Sequence, residues 1–266
     1  MSRNPGQTDL GIIKELHPFL YVTTTWRDYP SSLVGSVLFV AFWICFAMET
    51  ESSRTAADLA GTVIFAFTGS LVSFRQFKPV GLKIALIAGV TGGFLTAVGG
   101  GTVRTFLLGS GPDSLFWVHN VFYLMAIALG LLLALRWEPR ICPYCEACWD
   151  TADRIALAVF APLGAEKALI IGTEPTLTLV LLAASFGFLT GAGGGVLRDC
   201  LRLRPPMAFF TTYGWIAALG ATFHLALLQV GVPMAWVVSA GVIYLLAESI
   251  HQGDWTLRLT YSQYLL

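Results

Sequence analysis

Charged side chains inside otherwise apolar stretches are the first chemistry this 266-residue chain offers: Arg104, Glu166, Lys167, Arg198 and Asp199. An ionised group in hydrocarbon costs about 3 kcal/mol or more, so it faces a partner or a watery cavity. The arginines follow glycine triplets at the same spacing. Gly99-Gly100-Gly101 precedes Arg104, and Gly193-Gly194-Gly195 precedes Arg198 and Asp199. Thr96 and Thr190 place a hydroxyl about one turn before each triplet. Glycines inside a helix cost roughly 1 kcal/mol each relative to alanine and let the backbone bend. Carbonyls freed by a bend, together with hydroxyls and a carboxylate, can replace the hydration shell of a cation. The fixed cations act the other way, so a cation path needs those oxygens or Asp199 to offset Arg104, Arg198 and Lys167.

Each of these residues also has a plainer reading. Glycines pack membrane helices closely without any pore, arginines snorkel to the nearer interface, and threonines bond back to their own helix. The triplets favour a path because they are consecutive, duplicated and each followed by an arginine. Several apolar residues separate Lys167 from each end of its block, so it reaches for a freed carbonyl or for Asp199.

Between the apolar blocks, Cys142, Cys145 and Cys148 form a C-x-x-C-x-x-C cluster. In a reducing compartment this spacing suits metal ligation or redox chemistry better than a structural disulfide. A closed zinc site takes a further ligand, for which Asp150 or His251 are the candidates. A reduced, membrane-proximal loop is the alternative, as is a meeting of cysteines on the axis of an oligomer. No other cofactor is indicated. His119 and His224 stand isolated and no nucleophile motif occurs, which sets enzymes aside. Lys+Arg 16 balance Asp+Glu 16, so no nucleic-acid partner is implied.

The elements that must position these residues are membrane helices. Hydrophobic residues make up 56% of the chain, charged ones 12%, and mean hydropathy is +0.71. Soluble domains carry about 25% charged residues, so half that fraction calls for lipid as solvent. The apolar blocks approach bilayer-crossing length, roughly 17–25 residues, and in lipid such blocks must be helices. They run Leu33–Met48, Leu59–Phe74, Leu82 to about Leu108, Leu115–Leu135, Ile155–Ile171, Leu177 to about Leu201, Met207–Val230 and Met234–Ala247. For the first, short block an interfacial helix is the alternative to a span. Lys and Arg mark the cytoplasmic loops. Arg3, Lys14, Arg27, Arg75, Lys78, Lys83, Arg136, Arg140, Arg202, Arg204 and Arg258 all fall on one side of an alternating chain, with both termini inside.

Gly-Phe-Leu-Thr, Gly-Gly-Gly and Arg recur in register between residues 93–104 and 187–198, an offset of 94 residues. Phe65 and Gly69 echo in Phe160 and Gly164, at an offset of 95. Each repeat spans an odd number of helices, so the second copy enters the membrane from the opposite side. Inverted repeats place a solute path at their interface, near broken helices. The segments are an N-terminal arm (1–32), an extra span and outer loop (33–57), a first repeat (58–135), a Cys-rich cytoplasmic loop (136–153), a second repeat (154–230), and a last span with its tail (231–266).

These residues resemble the trimeric intracellular cation channel family, in its bacterial branch with two "glycine transporter" domains. The resemblance rests on Phe160 and Gly164-Ala165-Glu166-Lys167-Ala168-Leu169, then Gly193 to Asp199, Pro205-Pro206 and Tyr213. In the first half it rests on Gly61, Phe65-Ala66, Gly69, Gly99 to Thr102 and Arg104. It covers residues from about 58 to 250. It implies an all-α integral membrane fold with a seven-helix core of two inverted three-helix repeats plus one helix, to which this chain adds an N-terminal transmembrane helix. It also implies a homotrimer in the bacterial inner membrane, in contact with lipid, and a monovalent cation, potassium, passing through each protomer. The domain name keeps a secondary transporter of glycine or a similar small solute as the alternative. Thr105 departs from the family's Arg-Asp pattern after the first triplet.

Overall fold

A computed structural model of the chain describes residues 51–137, 143–174 and 176–252. The span expected at Leu33–Met48 and the arm before it lie outside these residues. The described residues form helices and no strand. α1 (Glu51–Phe77) and α2 (Leu82–Leu107) form an antiparallel pair joined by a short turn. The expected single block after them is broken: a 3-10 turn at Pro112–Ser114 and the four-residue α3 (Phe116–His119) lead into α4 (Val121–Trp137). Asn120 makes the break, its side-chain oxygen accepting the amide of Phe122 at 3.0 Å.

α5 (Pro143–Ala168) opens the second half and α6 (Leu177–Phe188) follows. A π-helical stretch, Leu189–Gly193, then joins α6 to α7 (Gly194–Leu201). The short α8 (Met207–Phe210) precedes α9 (Thr212–Val230), as α3 precedes α4. Gly231, at φ 73°, ends α9 in the left-handed conformation that glycine adopts without penalty. α10 (Ala235–Gln252) closes the described chain.

Four helices are long and apolar enough to cross a membrane by length and composition: α1 from Arg54, α2, the α6–π–α7 run and α9. α4 and α10 are shorter apolar helices. α5 is charged at both ends, yet its stretch from Ile155 to Ala161 is buried throughout. It is packed against α1, α6, α9 and α10, so its surface meets protein. Its helix starts at Pro143, inside the segment expected to be a cytoplasmic loop. There Arg154 is buried, Asp153 is half-buried, and both are partnered, which is why a polar stretch can fold as core.

Candidate functional site: two cavities on a glycine crossing

α2 crosses the α6–π–α7 run at the two glycine triplets, and the approach is close. A Cβ on Gly100 would lie 1.9 Å from the carbonyl oxygen of Leu189, and one on Gly194 would lie 2.2 Å from that of Thr96. Neither position admits a side chain unless backbone moves. The two triplets, both expected to bend their helices, differ in local structure. α2 runs through Gly99, Gly100 and Gly101 as an uninterrupted helix, whereas the second triplet begins at the end of the π-helical stretch. π-bulges of this kind recur at functional sites. Close packing, the plainer reading, therefore holds at the crossing.

A cavity lies at each end of this crossing. The first, of about 360 Å³, opens where the turns after α2 and α5 meet, with Ser110, Ser114 and Ile170 at its rim. Asp58, Gly101, Arg104, Thr105, Tyr123, Phe160, Glu166, Lys167 and Thr190 line it. The second, of about 210 Å³, lies at the opposite end, where α8 begins. Phe65, Thr96, Asp153, Gly191, Gly195, Arg198, Asp199 and Tyr213 line it. Residues matched by the sequence repeat thus fall in opposite cavities: Gly101 against Gly195, Arg104 against Arg198, Asp58 against Asp153. Thr190 and Phe160 of the second half enter the first cavity, and Thr96 and Phe65 of the first half enter the second. The phenyl rings of Phe65 and Phe160 stack between the cavities, centroids 5.0 Å apart.

Polar bonds follow the same pattern. Tyr123 donates to Asp58, tying α4 to α1, and Tyr213 donates to Asp153 at 2.8 Å, tying α9 to α5. Asp153 also accepts from Thr68 at 3.0 Å. Tyr123→Phe therefore removes the hydroxyl donor of Asp58, while Tyr213→Phe leaves Asp153 one donor. We expect Tyr123→Phe to cost about 2 kcal/mol and Tyr213→Phe clearly less, read as melting temperatures of the purified variants; equal losses would contradict this. Both threonines hold dual positions. Thr96 and Thr190 donate back to Gly92 and Phe186 at 2.7 and 2.6 Å, and each still lines a cavity.

The arginines are fixed rather than snorkelling. Arg104, 8% exposed, donates from Nη1 to Thr190 at 2.8 Å. Arg198 pairs with Asp199 at 2.8 Å, and Asp199 also accepts the amide of Met207 at the start of α8. Arg202, just past α7, bonds Gln76 and approaches Asp199 at 3.5 Å. Burial, with Arg198 and Arg204 beside it, lowers the Arg202 guanidinium to about 10 against the pull of Asp199, so it stays charged at neutral pH.

The expected reach of Lys167 to Asp199 is not made. Lys167 lines the first cavity and Asp199 the second. The two helices run antiparallel, so one residue near the end of α5 and another near the end of α7 stand at opposite ends of the bundle. Glu166 turns instead to Arg54 at 3.2 Å and to Nε2 of His224 at 3.3 Å. His224 is fully buried, with Nδ1 2.8 Å from Ser239; a histidine isolated in sequence belongs to a polar network. Asp58, Asp153 and Tyr123 escape a search for charges inside apolar blocks, although Asp58 and Asp153 stand at the repeat offset. Of the cysteine cluster, Cys142 and the side chains of Cys145 and Cys148 lie outside the described residues. Among the described residues no group of three or more His, Cys, Asp or Glu could hold a metal ion.

The family model described as "Glycine transporter" matches this chain twice, over residues 55–138 and 150–229. The chain belongs to this family. Among its relatives, a UPF0126 membrane protein of Vibrio cholerae is 34% identical over 206 residues, covering 76% of this chain and 80% of that one. The UPF0126 inner membrane protein YadS of Escherichia coli K12 is 32% identical over 207 residues, 76% of this chain and 92% of that one. Among solved structures, one described as the structural basis for conductance through TRIC cation channels matches with a TM-score of 0.64 at 25% identity. It covers 76% of this chain and 95% of its own. The TRIC orthologue from Rhodobacter sphaeroides matches with a TM-score of 0.63 at 27% identity, covering 77% and 100%. The resemblance to the trimeric intracellular cation channel family thus holds in fold and sequence. The chain is an all-α multi-pass membrane protein of a family whose named members here are membrane proteins and channels, not enzymes.

Proposed function

We propose that this protein is a membrane channel for a monovalent cation, potassium, with a path through each protomer of a homotrimer. The path runs from the first cavity to the second across the glycine crossing, past Gly99, Gly100, Gly101, Gly193, Gly194 and Gly195. Thr96, Thr190, Arg104, Lys167, Arg198 and Asp199 flank it. One observation carries this reading above the others: two cavities built from matching residues abut the same crossing from opposite ends. The neighbours described as TRIC cation channels support it. In this reading the extra span precedes two repeats, 58–135 and 154–230, with both termini cytoplasmic in a bacterial inner membrane. The first cavity then faces outward and the second faces the cytoplasm. In this reading the stacked Phe65 and Phe160, one ring lining each cavity, stand across the path.

A second reading, a secondary transporter of glycine, is favoured by the name of the matching family. Purified protein in liposomes separates the two. Unitary potassium currents are expected, and Gly195→Leu abolishes them, because its side chain projects toward the second cavity without meeting backbone. Saturable, gradient-coupled glycine uptake without unitary currents is the result that would establish the transporter instead.

A further inference from the structure

The two cavities match residue for residue, but one position breaks the match. In the second, Asp199 follows Arg198 and accepts from its Nε and Nη2 at 2.9 and 2.8 Å. In the first, Thr105 stands where that carboxylate would be, and its hydroxyl donates back to the carbonyl of Gly101 at 2.9 Å. Arg104 is left with its bond from Nη1 to Thr190, and its Nε is buried without an acceptor. The side chain of Lys167, exposed in the same cavity, makes no hydrogen bond or ion pair among the described residues.

The carboxylates of this cavity take their hydrogen bonds from other groups. Glu166 is held by Arg54 and faces His224, and Asp58 accepts from Tyr123. Asp58 attracts both Arg104 and Lys167 across the cavity, but neither carboxylate forms an ion pair with either cation. A buried guanidinium with an unmet donor is costly, and a planar fork beside an ammonium is the donor set that carboxylates match. A volume of about 360 Å³ falls at the lower end of small-molecule sites, roughly 300–1,000 Å³.

We propose that this cavity binds the carboxylate of a small solute, held between the Arg104 guanidinium and the Lys167 ammonium. The carboxylate belongs either to a simple organic acid or to an amino acid, whose ammonium would then meet Asp58. The cavity, with the exposed Lys167 ammonium and the Arg104 guanidinium both in its lining, carries this proposal, not conduction, so it stands or falls apart from the channel reading.

Ligand-observed NMR on the purified full chain in detergent tests it, with sodium acetate and glycine as separate probes and sodium chloride at matched ionic strength as the comparison. Acetate is expected to saturate. Lys167→Gln and Arg104→Gln are each expected to weaken it about tenfold or more, with Lys167→Gln keeping the wild-type melting temperature. Thr105→Asp supplies the carboxylate that the second cavity already has, and is expected to abolish acetate binding. If glycine matches acetate, only the carboxylate is read; if glycine binds tighter and the excess disappears in Asp58→Asn, both ends are read. Failure of both probes to saturate overturns the proposal. So does chloride competing as well as acetate, or binding that survives both Lys167→Gln and Thr105→Asp.

Discussion

Alanine at Gly100 or at Gly194 is expected to keep the protein from its native fold, while alanine at Gly195 is tolerated. The added methyl at Gly100 would sit 1.9 Å from a backbone oxygen and the one at Gly194 2.2 Å from another. Overpacking a well-packed site costs about 1–3 kcal/mol when side chains can yield, and here the obstacles are helix carbonyls. Relief requires α2 to move off the α6–π–α7 run, which disturbs both cavities, since Arg104 of α2 lines the first and Thr96 the second. At Gly195 the nearest atom beyond the local backbone is the Arg198 guanidinium, 3.7 Å away. Size-exclusion profiles and melting curves of the three variants in detergent decide the matter. Wild-type behaviour of Gly100→Ala would show that the helices do not approach this closely. The same contrast makes a bulky residue at Gly195 the sounder probe of conduction, since loss of current there cannot be assigned to a broken crossing.

Glu248→Ala should be the most damaging change outside that crossing. Arg154 on α5 and Glu248 on α10 pair at 2.8 Å, with side chains 9% and 11% exposed, and Arg154 also donates to Thr151 at 3.1 Å. Removing one partner strands the other charge in the interior, at about 3–5 kcal/mol. Replacing both with apolar residues, Arg154→Met with Glu248→Leu, leaves no charge behind and should restore most of that loss. Thermal unfolding of the two single variants and the double variant completes the cycle. If the double variant is as unstable as the sum of the singles, the pair is not a coupled, buried unit.

Much of the fold is legible because lipid leaves the backbone few choices. The run from Leu82 to about Leu108 had to be a helix, and α2 ends within a residue of that limit. α5 was harder to read, since Asp153 and Arg154 look like loop residues until Tyr213, Thr68 and Glu248 are placed around them. Asp58 was hidden in the same way by Tyr123. The break at Asn120 has a local cause, an amide captured by a side chain, which block hydropathy averages away. At the site, the repeat pointed to the residues but not to their grouping. Chain direction alone separates Lys167 from Asp199, and counting spans from one to the other would have excluded their pairing. Whether a glycine packs or lines a path depends on what crosses it. Gly100 meets a carbonyl and Gly195 only the end of the Arg198 side chain at van der Waals distance, and nothing in a run of identical residues distinguishes them.

The central claim, a single path joining the two cavities through one protomer, is tested most directly by cysteine accessibility under current recording. In a background with the five native cysteines replaced, Thr190→Cys places a thiol in the first cavity and Thr96→Cys one in the second. A charged thiol reagent applied from the outer side should block potassium current through Thr190→Cys and spare Thr96→Cys, with the reverse from the cytoplasmic side. Current that persists after both thiols are shown to be modified would contradict the account, because ions would then be passing elsewhere.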